Sequence, residues 1–197
     1  MRDKRKKIFK LNLGCGKFPK QGYINVDFSF DSGADIISDL NRYPWPFRDD
    51  TFSLIEADHV LEHLEDPFRA MKEIHRIAKE GAKVVIRVPH FSRGFTHPDH
   101  KRGFDVTFPY YFRSDFRGGY QGVEFVLERM NLKWFAQPYL KKTVLNKPVF
   151  YSALLMGKMI DFFANISPAF CSRFWSFFVG GFEEIEFQFI VSKNNSR

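Results

Sequence analysis

Five short strand-like runs, each ended by turn-forming residues, dominate the first half of this chain. Apolar and polar residues alternate over 8–13, and apolar runs of strand length recur at 23–26, 35–37, 52–57 and 84–88. A helical pattern stands between the last two runs. Alternation of this kind predicts an α/β protein with a doubly wound, mostly parallel sheet that is covered by helices.

The helix before the fifth run has clear boundary signals. Asp66 is a good N-cap and Pro67 suits the first helical position, and we expect Gly81 to end the helix. By contrast, residues 17–22 leave little room for a crossover helix, so we expect a single turn or an irregular loop there.

The second half predicts an insertion before a last, antiparallel strand at 185–191. Residues 125–135 look extended or mixed, and residues 149–178 look mostly helical. We therefore expect a single domain over the whole chain, 1–197, in which about 91–182 forms insertions that serve as a lid or line the substrate side.

The composition is ordinary for a globular protein except for its 25 phenylalanines, some of which we expect to line a pocket or an apolar surface. The net charge is +7, and residues 1–7 form a basic tail that is either flexible or in contact with anionic lipid or nucleic acid. Two distant cysteines, Cys15 and Cys171, favour a reduced, cytoplasmic setting. Neither a signal-peptide core nor the ~20 apolar residues of a membrane span is present.

An apolar stripe in the insertion has two interpretations. Its spacing is typical of a core-facing helix. The cations Lys158 and Arg173 among further phenylalanines favour a second interpretation, a helix lying on a membrane surface. The stripe consists of Leu154, Leu155, Met159, Phe162, Phe163 and Ile166.

Ligands of doubly wound sheets bind at the carboxyl ends of the strands. Here Gly14 and Gly16 follow the first strand and Asp27 ends the second. A nicotinamide dinucleotide fingerprint needs a third glycine and an acid about 20 residues on, whereas Asp27 lies 11 residues past Gly16. No P-loop lysine and hydroxyl follow either, so both of these nucleotide sites are disfavoured.

Over roughly residues 8–90 the chain resembles the class I S-adenosylmethionine-dependent methyltransferases, in particular their small type-11 branch. The resemblance implies a Rossmann-like methyltransferase fold with S-adenosyl-L-methionine as the cofactor. It is carried by Leu11–Gly16, Asn25–Asp27, Ser38–Leu40, Pro46–Phe47 before Asp50–Phe52, His59–Leu64, Glu73–Arg76 and Val88–Pro89.

The resemblance also implies which residues bind the cofactor. The glycine turn after the first strand would wrap the methionine and ribose parts, and the aspartate that ends the second strand would hold the ribose hydroxyls. Asp39 would face the adenine amino group with the Leu40 backbone beside it, and Asp58 and His59 would flank the methionine end. The complete set is Leu13, Gly14, Cys15, Gly16, Asp27, Asp39, Leu40, Asp58 and His59.

A hydroxyl or amine acceptor can require a general base, and histidine is the usual one near neutral pH. The candidates are His59, at the end of the fourth strand, and His97 and His100, in the loop after the fifth; His63 fits a structural role on a helix face. The cations around that loop, Arg93, Lys101 and Arg102, suit an anionic acceptor.

A metal ion is an alternative for the same loop. His90, His97, Asp99 and His100 carry suitable ligand atoms, but their spacing matches no zinc or iron signature, so we expect no metal.

The sequence thus predicts an enzyme that transfers a methyl group to oxygen or nitrogen of a small-molecule or glycan acceptor, which a lipid could carry. An anionic membrane surface is a possible partner, and the oligomeric state stays open. The alternatives are a nucleic-acid methyltransferase, supported only by net charge, and a non-catalytic, cofactor-binding module at a membrane.

Overall fold

Seven strands form one sheet in the computed structural model, which describes residues 9–93 and 97–193. The order across the sheet is β3-β2-β1-β4-β5-β7-β6, and the neighbouring pairs among β1 to β5 are parallel. β7 runs antiparallel to both β5 and β6, which confirms the predicted fold class. The strands are β1 (Lys10–Leu13), β2 (Ile24–Asp27), β3 (Ile36–Ile37), β4 (Phe52–Asp58), β5 (Ala78–Pro89), β6 (Glu124–Lys133) and β7 (Glu184–Ser192).

Among the described residues, four α-helices and two 3₁₀ helices accompany the sheet. Three of the α-helices and one 3₁₀ helix belong to residues 138–178, which we call the helical insertion. The helices are α1 (Pro67–Ile77), α2 (Pro138–Lys141), α3 (Lys147–Ala164) and α4 (Pro168–Arg173), with 3₁₀ turns at Phe108–Phe112 and Trp175–Phe177.

Helix α1 begins as predicted, because the Asp66 carboxylate accepts a hydrogen bond from the Arg69 N–H at 2.9 Å. The predicted end at Gly81 is wrong. The helix stops at Ile77, since the next residue, Ala78, already pairs with Phe52 of β4 and is fully buried. Pairing with the neighbouring strand overrides the helical spacing of the apolar residues.

The segment between β1 and β2 contains no helix, which confirms the expectation for residues 17–22. A loop takes its place, and the Lys20 ammonium of this loop pairs with Glu56 and Asp58 of β4. Arg87 of β5 extends the row, with 2.5 Å to Asp58 and 2.6 Å to Glu186. This face of the sheet is therefore polar, while the opposite face supplies the apolar core.

Helix α3 packs on the sheet through a narrow side. Phe150, Ile160 and Ala164 are buried, and a Cβ on Gly157 would lie 2.7 Å from the Phe135 Cβ, so only glycine allows this approach. The core interpretation of the apolar stripe is wrong. Its members Leu155, Met159, Phe162, Phe163 and Ile166 are 53–73% exposed, because they point away from the strand that the helix covers.

A buried polar chain anchors α4 to the end of β5. His90 is fully buried, and its Nε2 lies 2.8 Å from the Ser172 hydroxyl, which donates to Asp105 at 3.0 Å. Asp105 in turn pairs with Arg173 at 2.6 Å. Burial lowers the pKa of His90 to about 4, so the ring is neutral and Nε2 is its donor.

Two expectations from the sequence concern contact with a membrane. The basic tail, residues 1–7, lies outside the described residues. Among the residues that are described, no helix is both long enough and apolar enough to cross a bilayer.

Candidate active site

A cavity of about 830 Å³ opens where β1, β2 and β4 end, which we call the cofactor edge. This volume falls within the ~300–1,000 Å³ typical of sites for small molecules. The wall combines predicted cofactor residues with predicted acceptor residues. It consists of Gly14, Asp27, Phe28, Ser38, Asp39, Leu40, Asn41, His59, Val60, His63, Leu64, Pro98, Asp99, His100 and Lys101.

Gly14 begins the turn that brings the backbone to the cavity. Its φ is +63°, in the left-handed region that favours glycine, and an added Cβ would lie 2.3 Å from Val60 Cγ2. Any side chain here would displace the loop after β4, so the fold requires glycine at this position.

Asp27 organises the same turn. Its carboxylate accepts from the Gly16 N–H at 2.7 Å and from the Ser29 N–H at 3.0 Å, and the residue is 6% exposed. A carboxylate has about four lone-pair positions. The two backbone bonds therefore leave acceptor capacity toward the cavity.

A planar group could lie against the wall formed by Phe28 and Leu40. The Phe28 ring is 75% exposed although it lines the cavity, whereas Leu40 and Val60 are nearly buried. Asp39 stands beside them, its Oδ1 accepting from the Asn41 N–H at 2.9 Å. An apolar slot with a carboxylate at its rim suits a purine with an exocyclic amino group.

His59 lies at the start of the acceptor side in a strained conformation, with φ +54° for a residue that is not glycine. Its Nδ1 is 3.2 Å from Glu62 Oε1 and its Nε2 is 2.9 Å from Glu184 Oε2. Burial would lower the pKa of His59, but the hydrogen bonds that its ring donates to the two carboxylates outweigh this effect and raise the pKa to about 9. A ring protonated at neutral pH has no lone pair with which to act as a base.

A cluster of imidazoles surrounds Glu62, which is fully buried. His100 Nε2 lies 3.8 Å and His63 Nε2 4.0 Å from Glu62 Oε1. The His97 ring stacks on the His100 ring with 4.9 Å between centroids. Oε2 of Glu62 lacks a hydrogen-bond partner among the described residues. Glu62, His63 and His100 thus offer ligand atoms within 4.8 Å of one another.

Comparison with known proteins gives a family match over part of the chain. Residues 23–86 match the model of the family described as methyltransferase domain. A demethylmenaquinone methyltransferase from Streptomyces griseus is 30% identical over 95 residues, covering 41% of this chain and 41% of that protein. An uncharacterised methyltransferase from Schizosaccharomyces pombe is 43% identical over 45 residues, covering 23% of this chain and 16% of that protein. The chain thus spans less than half the length of either curated relative.

A solved structure of a methyltransferase from Archaeoglobus fulgidus, described as S-adenosylmethionine dependent, superposes with a TM-score of 0.56 at 15% identity. The match covers 93% of this chain and 86% of that chain, and at this identity it shows the shared fold. Part of the chain is thus similar to a methyltransferase domain, and the chain shares its fold with a methyltransferase that is S-adenosylmethionine dependent.

The wall of the cavity has groups that suit S-adenosyl-L-methionine, the cofactor that the sequence resemblance implies. Gly14 allows close approach of the backbone, Asp27 retains acceptor capacity for ribose hydroxyls, and Phe28 presents an uncovered ring to a planar base. Asp39 and Leu40 lie beside that ring, where an adenine amino group can be bound.

Five of the predicted site residues do not line the cavity. Leu13 is 1% exposed and belongs to the core, and the Cys15 N–H donates to Val26 instead. Gly16 acts through its bond to Asp27, Asp58 pairs with Lys20 and Arg87, and His97 lies outside against His100.

Two acids of the site were missed in the sequence. Glu62 lies between His59 and His63, and only these histidines were singled out as candidates. The signal that was available is its place in the same short motif, and the structure shows that it is fully buried. Glu184 had no such signal, because it approaches His59 from β7, 125 residues further along the chain.

The positive charge predicted around the acceptor loop is largely engaged within the protein. Lys101 pairs with Glu65, and Arg93 lies 3.1 Å from Glu183. Arg102 donates to the Leu64 carbonyl at 2.6 Å. The geometry therefore gives little support to an anionic acceptor.

Proposed function

We propose that this protein transfers a methyl group to oxygen or nitrogen of a small-molecule or glycan acceptor, including one carried on a lipid. The observation that carries the proposal is that Asp27, Asp39 and His100 all line one cavity. Cofactor and acceptor would therefore meet in one space at the cofactor edge.

In this proposal Gly14, Asp27 and Asp39 hold S-adenosylmethionine. When bound, it supplies an electrophilic methyl group. Because its leaving group is good, positioning of the acceptor accounts for much of the rate, and the shared cavity provides that positioning.

His100 is the base in this proposal. It removes the proton of the acceptor hydroxyl or amine, and the imidazolium that forms is stabilised by the Glu62 carboxylate 3.8 Å from Nε2. His59 keeps Glu62 in place through the 3.2 Å hydrogen bond and is positively charged at neutral pH. We assign His59 a positioning role and His97 a supporting one, through its ring stacked on His100.

We expect the reaction to need no metal ion. His59 is protonated at neutral pH and already compensates the charge of Glu62, so a divalent cation would compete with an existing partner. Chelators should leave activity unchanged, and loss of activity that zinc restores would contradict this assignment.

The proposal is tested first by cofactor binding and then by turnover. S-adenosylmethionine and S-adenosylhomocysteine should raise the melting temperature, because a ligand that binds only the folded state stabilises it. Absence of heat in calorimetry with millimolar ligand and folded protein would refute cofactor binding. Release of S-adenosylhomocysteine with a panel of sugars, amines, phenols and lipid-linked glycans then separates an enzyme from a non-catalytic binding module.

A further inference from the structure

The outer side of the helical insertion carries twelve large apolar side chains that are 45–73% exposed. We call this surface the aromatic face. It extends over α3, α4 and the following 3₁₀ turn, so it is continuous along the insertion. Its members are Val149, Tyr151, Leu155, Met156, Met159, Phe162, Phe163, Ile166, Phe170, Phe174, Phe177 and Phe178.

The extent of the aromatic face exceeds what a monomer in water normally exposes. Its six phenylalanines are each more than half exposed, and an aromatic side chain can bury about 150–250 Å². The largest apolar patch of a typical monomer is about 300–600 Å². We therefore expect another apolar surface to cover this face when the protein functions.

The charges that accompany the aromatic face are almost all positive. Lys142, Lys147, Lys158 and Arg173 are exposed cations of the helical insertion. Asp161 is the only acid of residues 138–178, and its side chain is 15% exposed, accepts from the Trp134 N–H and lies near Lys133. An apolar surface surrounded by cations is complementary to anionic lipid headgroups.

A second copy of the chain fits this surface less well. Two aromatic faces in contact would bring Lys147, Lys158 and their partners together without acids to pair with them. In an anionic bilayer the same lysines meet phosphate, and the phenylalanines enter the boundary between headgroups and acyl chains.

The helix cannot cross the bilayer, because Lys158 and Asp161 interrupt α3 in its second half and no described helix qualifies as a span. The helix therefore lies parallel to the surface, with its apolar side entering about 5–10 Å. Its opposite side stays on the protein through Phe150 and Ile160.

We propose that the aromatic face binds the surface of an anionic membrane. The helical insertion also borders the cofactor edge, since the Tyr139 ring of α2 lies 5.4 Å from the Phe18 ring of the loop after β1. The inference depends on the surface alone and stands whether or not the acceptor is carried on a lipid.

Sedimentation with vesicles tests the inference on the full chain. The triple variant Leu155→Ser, Met159→Ser, Phe162→Ser should bind vesicles of phosphatidylglycerol and phosphatidylcholine about tenfold or more weakly than the unchanged protein, since binding scales with buried apolar area. The double variant Ile37→Ser, Val126→Ser is the matched control. It removes exposed apolar side chains outside residues 138–178 and should bind as the unchanged protein does.

The cations are tested separately. Lys147→Glu with Lys158→Glu should reduce binding to the anionic vesicles and leave the weaker binding to pure phosphatidylcholine unaltered. Salt should act in the same direction, because raising it from ~0.1 M to ~1 M shortens the Debye length from about 10 Å to about 3 Å.

Three results would overturn the proposal. The first is an absence of sedimentation with either vesicle, and the second is equal sedimentation of the triple variant. The third is a stable dimer that the triple variant dissociates while vesicles fail to bind, which would assign the face to a second copy. All three substituted side chains are exposed, so the variant should fold normally. An unchanged melting temperature checks this.

Discussion

At the cofactor edge, Leu11, Leu13 and Ile55 are at most 1% exposed, whereas Leu155 and Phe162 in the helical insertion are 73% and 69% exposed. Both regions are rich in apolar residues, so composition does not separate them. The difference is that the sheet and α1 enclose the first set, whereas the rest of the protein covers only the inner side of the helices of the insertion.

This comparison shows how binding surfaces differ in kind. The cofactor edge places single polar groups of Asp27 and Asp39 on a rigid apolar scaffold, which suits a small ligand of defined shape. The helical insertion presents an extended apolar area with cations and no fixed polar acceptors, which suits a fluid surface. The two regions should therefore respond independently to substitution.

His100→Ala should cause the largest effect at the cofactor edge. Loss of a general base typically lowers the rate ~10²–10⁴-fold. Affinity for S-adenosylmethionine should stay within a few-fold, since His100 lies beside Glu62 and is not one of the groups to which cofactor binding is assigned, Gly14, Asp27 and Asp39. The measurements are single-turnover methyl transfer and calorimetry.

His97→Ala is the control for this prediction. The His97 ring stacks on His100, lies edge-on to His63 and accepts from the Asp99 N–H, but it is not among the residues that line the cavity. The loss of activity in this variant should therefore be the smaller of the two. Unchanged turnover in both variants, or cofactor binding that collapses with activity, would remove the acceptor loop from the mechanism.

Asp27→Ala should weaken S-adenosylmethionine binding by about 10- to 100-fold. Hydrogen bonds to a charged group contribute about 1.5–3 kcal/mol each, and the substitution also releases the Gly16 and Ser29 N–H groups. Asp27→Asn keeps one acceptor oxygen and should lie between the alanine variant and the unchanged protein. The triple variant of the aromatic face should bind the cofactor normally, and a parallel loss there would show that the two regions are coupled.

The free energy of unfolding of the protein should fall as pH rises from 6.5 to 9, because of His59 at the cofactor edge. The folded-state pKa of His59, about 9, lies above the unfolded value near 6.5, so its contribution is complete below pH 6.5 and is lost as pH rises through 9. The loss should be on the order of 3 kcal/mol. Urea unfolding across this range measures it, and His59→Gln should flatten the profile. An equally steep profile in that variant would mean that another group titrates.

Ser172→Ala should have the smallest effect of the four and should act on the helical insertion alone. It leaves the buried His90 Nε2–H without its acceptor and removes a donor from Asp105, which should cost about 1–3 kcal/mol of unfolding free energy. S-adenosylmethionine affinity should not change. Calorimetric binding that weakens along with stability would contradict the independence of the two regions.

Local sequence information was sufficient for the parallel half of the sheet. Gly14 and Gly16 mark the end of β1, and Asp66 with Pro67 marks the start of α1, because turn and cap chemistry acts over a few residues. The same information failed at Gly81, where pairing of Ala78 with Phe52 decides the end of the helix.

The candidate site was only partly accessible to the same reasoning. Residues at strand ends could be named because parallel strands place their carboxyl ends at one edge. The direction of each side chain could not be named, and Asp58 turns to Lys20 and Arg87. The bond between His59 and Glu184 joins residues that only the antiparallel arrival of β7 brings together.

The chain's own pattern determined that strands alternate with turns, that a glycine turn precedes Asp27, and that apolar residues repeat along α3. These are local properties, set by the period of each element and by backbone sterics. Tertiary structure alone decided which side of α3 is buried and which histidine is charged. Both depend on neighbours distant in sequence. The close approach of Gly157 to Phe135 turns Leu155 outward, and Glu184 of β7 joins the nearby Glu62 in keeping His59 protonated.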